Sequence, residues 1–138
     1  MSVYARERKE TVTQYIVTAQ KLQTATITIL MNEKKFPKKW RYILVQDAIS
    51  KSSEILDNVI AAHNLFPTTE ERLKQRKQSL YNAVIGCYQL ENKLLCMVRT
   101  INGVTAETVS NITSLILDEI TLLKKAYKNA KIIGDKEV

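Results

Sequence analysis

Glycine, proline, histidine and cysteine are all scarce in this chain: three, two, one and two of them among 138 residues. With so little glycine there is no Gly-x-x-x-x-Gly-Lys run, so the loop that cradles nucleotide phosphates is excluded. One histidine cannot supply the paired Glu-x-x-His motifs of a di-metal carboxylate bundle, and no acid stands three residues before His63. At the end of an expected helix, His63 complements the helix dipole. Ser50, Ser52 and Ser53 have no histidine within reach on their own helix, which argues against a Ser–His hydrolase. No enzyme is expected, and no cofactor or metal is implied.

Cys87 and Cys96 fall on one expected helix. Nine steps of about 100° place them on roughly opposite faces, which excludes an intrachain bridge or a shared metal. They are expected as buried reduced thiols, in keeping with a reducing compartment. No apolar run approaches the roughly 18 residues of a membrane span, and residues 1 to 9 lack the apolar core of a signal peptide. A cytoplasmic location follows as the expectation, with no membrane partner.

What remains is an ordinary globular composition, 45% hydrophobic and 25% charged, of a length that suits one domain over residues 1–138. The organising stretch is residues 36 to 67, framed by Phe36-Pro37 and Phe66-Pro67. Each proline fixes φ, lacks an N–H donor and pushes the residue before it out of the α region. Between them Val45, Ala48, Ile49, Ser52, Ile55, Leu56, Val59, Ile60 and Ala62 recur at helical spacing, predicting a helix over about 40–63. Val12, Tyr15, Ile16, Ala19, Leu22, Ile29 and Leu30 predict another over about 11–33, although residues 24 to 29 alternate like a strand. Thr68 as N-cap, with Glu71 three residues on, opens a third helix over about 68–101, which stops at Asn102-Gly103. A fourth runs over about 105–133 and ends at Gly134. Four helices on short loops predict an all-α, up-down-up-down antiparallel four-helix bundle.

The net charge of +7 favours polyanionic partners. In such a bundle one end collects Arg6, Arg8 and Lys9, then Arg72, Lys74, Arg76 and Lys77, then Lys124, Lys125, Lys128 and Lys131. The other end collects Lys34, Lys35, Lys38, Lys39 and Arg41, with Arg99 nearby. Lysines in a last helical turn also complement its dipole, and a lysine run can be a solvated face. On the third helix, however, the steps from Leu73 to Leu80 should place an apolar residue at 76 or 77, and both are cations. Stability alone gives no reason for this interruption, whereas a phosphate-binding surface or a charged oligomer pore does. Contacts would be to phosphate, hence weakly sequence-specific and salt-sensitive. Trp40 and Tyr42 either stack on bases or cap the end of the bundle. Asp118-Glu119 lacks partner ligands and is expected in solvent.

Several segments carry a resemblance over nearly the whole chain. They are Phe36-Pro37-Lys38-Lys39-Trp40, residues 58–67, residues 71–77, Tyr81-Asn82-Ala83 and residues 117–124. In these the chain resembles the small bacterial and phage four-helix-bundle proteins that include the accessory variability determinant of diversity-generating retroelements. The proteins encoded in intervening sequences of large-subunit ribosomal RNA genes are similar. The resemblance implies a homopentameric barrel of bundles with a positively charged surface. It also implies association with a reverse transcriptase and with RNA or an RNA–DNA hybrid during mutagenic retrohoming. Arg72, Lys74, Arg76 and Lys77 match the family's basic opening of the third helix, and Lys124 its lysine in the fourth. The competing expectation is a protein–protein interaction module whose charge only solubilises it.

Overall fold

The computed structural model describes the backbone of residues 3–132 and the side chains of residues 14–132, and within that range it is all-helical. Its long helices are α1 (Val3–Leu30), α2 (Gln46–Asn64), α3 (Glu70–Thr100) and α4 (Ser110–Asn129). A 3-10 turn (Lys38–Trp40) and a π-helical turn (Arg41–Val45) lead into α2. Helix α1 packs on α2 and α4, and α3 packs on the same two, so the four enclose a shared interior. The side chains that fill it are those of the sequence stripes: Tyr15, Ala19 and Leu22 from α1, Ile55 and Val59 from α2, Leu80, Cys87, Leu90 and Leu94 from α3, Ile112, Ile116 and Leu123 from α4. Each large side chain of this kind contributes about 1.5–3 kcal/mol when buried, which isolated helices cannot recover.

The segment with strand-like alternation, residues 24 to 29, is helical. Thr26 is fully buried there, and its hydroxyl donates to the Leu22 carbonyl one turn back at 2.7 Å, so its polar atom is satisfied inside the helix. The helix bounds differ from expectation at several places. α1 begins earlier than Thr11, because residues 3 to 10 contain no breaker and several good helix formers. It ends at Leu30 and not at Glu33, where Asn32 turns the chain by accepting the Lys34 N–H on its side chain. The predicted second helix is regular only from Gln46, the first turns after Pro37 being wound more tightly and then more loosely.

The N-cap of α3 is Thr69, not Thr68. Its hydroxyl accepts the Arg72 N–H at 3.1 Å, so Glu71 is not in the capping-box position. After α3 a turn closes through Val104 N–H to the Ile101 carbonyl, with Gly103 at φ +90°, a conformation that favours glycine. Thr105 and Thr108 then exchange side-chain and backbone hydrogen bonds and hold residues 106–109 as turns, so α4 starts at Ser110. α4 stops at Asn129, short of 133. The side chains of Arg6, Arg8 and Lys9, and Gly134 as a helix stop, lie outside the described residues.

Gly86 sets how closely α2 and α3 approach. It is buried in mid-helix, and a Cβ built on it would stand 2.8 Å from Ile55 Cγ1. Alanine would gain about 1 kcal/mol in helix propensity but would overpack this contact, which costs about 1–3 kcal/mol. Gly86→Ala is expected to lose about 1 kcal/mol in urea unfolding, and Gly86→Leu about 3 kcal/mol or more. A Gly86→Leu variant as stable as the wild type would contradict this packing.

Candidate nucleic-acid interface

Arg76 occupies the core-stripe position where an apolar residue was expected, and the structure supplies a stabilising reason for it. Its Nη1 donates at 3.1 Å to the carbonyl of Leu65, the C-cap of α2, which no helical N–H reaches. This corrects the expectation that stability has no use for a cation there. The guanidinium also lies beside Tyr15, where its charge partly offsets the rise in phenol pKa caused by burial. Arg76 shares a pocket with Tyr15 and with Lys125 and Asn129 of α4. The early part of α3, the end of α2, the middle of α1 at Tyr15 and the end of α4 therefore meet at one end of the described part of the molecule. The end of α1 meets the α3–α4 connection at the other, where Asn32, Lys35 and Phe36 line a cleft with Gly103, Thr105 and Glu107.

Lys77 and Lys124 face outward between α3 and α4, each over a tyrosine ring. Lys77 Nζ is 5.1 Å from the Tyr127 ring centre, and Tyr127 lies 6.4 Å from Tyr81. Lys124 Nζ is 5.5 Å from the Tyr88 ring centre and donates to the Tyr88 hydroxyl at 2.9 Å. Such exposed cation–π contacts are worth about 0.5–1 kcal/mol each, enough to orient the side chains and too little to explain the fold. The three tyrosines are exposed, Tyr81 the most at 53%. The result is a tyrosine–lysine ladder in which Lys77 adjoins the Tyr81–Tyr127 pair and Lys124 adjoins Tyr88. Sequence reasoning missed its aromatic half; the available signal was the seven-residue step from Tyr81 to Tyr88, one turn after Lys77.

The other candidate cations are arranged more loosely. Arg72, Lys74, Lys125, Lys128 and Lys131 are exposed at the same end as Arg76. Among the described residues, none of the candidate cations of α3 and α4 enters a salt bridge. Lys38, Lys39 and Arg41 sit in the segment before α2 and are not brought to that cluster. Arg41 is paired with Glu33 at 2.7 Å, and Lys39 lies 5.4 Å from the Trp40 ring centre. Of the two aromatic residues in this segment, Trp40 packs against the core, whereas Tyr42 is 82% exposed.

Glu119 was expected in solvent and is instead fully buried, with no hydrogen-bond partner for either carboxylate oxygen among the described residues. The reason is register: it lies on the stripe of Ile112, Ile116, Ile120 and Leu123, whereas Asp118 faces out. Burial pushes the Glu119 carboxyl up to about 8. Burial also pushes the nearby Cys87 thiol up to about 12, helped by the Glu119 charge. At neutral pH Glu119 thus holds its proton in the folded state and releases it in the unfolded chain. Stability is full below the ordinary carboxyl value of 4.5, falls as pH rises from there to about 8, and is level above. Glu119→Gln is expected to match the wild type near pH 4 and exceed it by about 2–4 kcal/mol at pH 8, as read by urea unfolding. A constant difference across that range would contradict the buried, protonated acid.

Cys87 is buried and Cys96 partly so, both as free thiols. Among the described residues, no helix is long and apolar enough to cross a membrane, and no group of three His, Cys, Asp or Glu side chains converges to hold a metal ion. No protein-family model matches the chain, and no curated protein or solved structure matches it either.

Proposed function

We propose that this chain is a non-enzymatic accessory protein that holds RNA or an RNA–DNA hybrid for a reverse transcriptase. The setting is the mutagenic copying carried out by diversity-generating retroelements in the cytoplasm. In this reading the four helices form an up-down-up-down bundle, and five copies assemble into a cationic barrel. The observation that carries it is the tyrosine–lysine ladder on the α3–α4 face beside the cations of the Arg76 end. Aromatic faces stack on any base, and ammonium groups between them meet phosphates, which suits a scaffold that must accept many sequences. The chemistry of copying then belongs to the polymerase. The resemblance in residues 71–77 and 117–124 points to the same role and partner.

The exposed Ile85, Leu95 and Leu117 favour a second reading, an interaction module that binds protein through the apolar part of its helix faces. Fluorescence anisotropy with single-stranded RNA separates the two. Lys77→Glu and Lys124→Glu are expected to weaken binding about tenfold or more and to lower the salt slope, by roughly one for each phosphate contact removed. Tyr81→Leu and Tyr88→Leu should cost about 1–3 kcal/mol each and leave the salt slope unchanged. RNA binding that is undetectable at low salt, or indifferent to all four substitutions, contradicts the scaffold. A partner retained after nuclease treatment would then support the interaction module.

A further inference from the structure

Tyr81 and Tyr88 stand seven residues apart on α3, two turns or about 10.5 Å along its axis. Tyr81 meets Tyr127 and Tyr88 meets Lys124, so the partners on α4 run backward as α3 advances. One more step of seven, forward on α3 and back on α4, brings Leu95 and Leu117 to the same face. Both are exposed, and so is Arg99 one turn past Leu95. From Lys77 to Arg99 this strip is about 33 Å long. Among the described residues it presents no exposed carboxylate. Glu91, between Tyr88 and Leu95, is partly buried, and Asp118 follows the stripe of Leu115 and Leu122, which border α1.

Resting on the reading of the α3–α4 face as a nucleic-acid surface, we propose that this strip takes an unpaired strand laid along α3 and discriminates against duplex, the RNA–DNA hybrid included. The selectivity comes from how closely its two kinds of group are interleaved. Lys77 Nζ and Lys124 Nζ lie 5.1 Å and 5.5 Å from the centres of tyrosine rings, so a phosphate that reaches either one brings its own nucleotide against a ring. In an unpaired strand the base of that nucleotide is free to stack, and rings that are 40–53% exposed have surface to offer it. In a duplex the bases are stacked on one another inside, and the same ring meets only sugar and backbone. A duplex offers a base to the strip only after a pair has opened, which is unfavourable. Leu95 and Leu117 sharpen the difference. An apolar pair accepts the face of a base and not a phosphate, whereas a surface built for duplex phosphates would carry cations there.

The test follows one RNA of about 12 nucleotides by fluorescence anisotropy at low salt, as the single strand, annealed to its RNA complement, and annealed to its DNA complement. The single strand is expected to bind about tenfold or more tighter than either blunt duplex. Tyr81→Leu and Tyr88→Leu together should weaken the strand to the level of the duplexes and leave duplex binding unchanged, whereas Lys77→Glu weakens all three. Both tyrosines lie on the surface and leucine keeps apolar bulk there, so a urea midpoint near that of the wild type is expected; the wild-type comparison decides without any variant. A hybrid or RNA duplex bound as tightly as the strand overturns the selectivity and leaves the scaffold standing. A preference for the strand that survives both leucine substitutions also overturns it, because the strip is then not its source. No binding of any of the three overturns the scaffold and the selectivity together.

Discussion

Arg76 ties together parts of the chain that are distant in sequence. Its guanidinium bonds the carbonyl that ends α2, from a position in the early turns of α3, and lies against Tyr15 of α1. A helix end leaves carbonyls without partners, and a charged donor satisfies one more strongly than a neutral group would. Only a long side chain from a core-stripe position reaches that carbonyl and the pocket together. The Arg76 end of the molecule therefore rests on a polar contact, whereas most of the interior is packed from apolar side chains.

That arrangement leaves a distinct division of labour among the cations. Arg76 is committed to structure at one nitrogen and has donors to spare. Lys77 and Lys124 are held over tyrosine rings by contacts too weak to be there for stability. Arg41, at the other end, is neutralised by Glu33. Cations that are oriented but not neutralised can meet an incoming phosphate with little ordering cost. The α3–α4 face and the Arg76 end meet that description, and the segment before α2 meets it less well.

Much of the fold is legible in the sequence because it depends on periodicity. The stripes through Leu22, Ile55, Leu90 and Ile116 are all in the interior, and Phe36-Pro37 and Phe66-Pro67 bracket the second helix. Boundaries were less legible where short polar side chains choose between neighbouring caps, as with Thr68 and Thr69, or hold turns, as with Thr105 and Thr108. Glu119 was misplaced because its charge argued for solvent while its register argued for the core, and register won. The interruption at Arg76 was visible, but its cause was not, since the Leu65 carbonyl is a backbone group that no side-chain pattern reveals. Cations could be counted from sequence; the rings beneath Lys77 and Lys124 could be paired with them only in three dimensions.

The central claim is that the α3–α4 face is where a nucleic acid lies. Photo-crosslinking of single-stranded RNA carrying 4-thiouridine, followed by mass spectrometry of the linked peptides, addresses it most directly. The account predicts links at Tyr81, Tyr88 and Tyr127 that disappear as salt is raised. Links confined to Trp40 and Tyr42, or none on α3 and α4 at low salt, would contradict it.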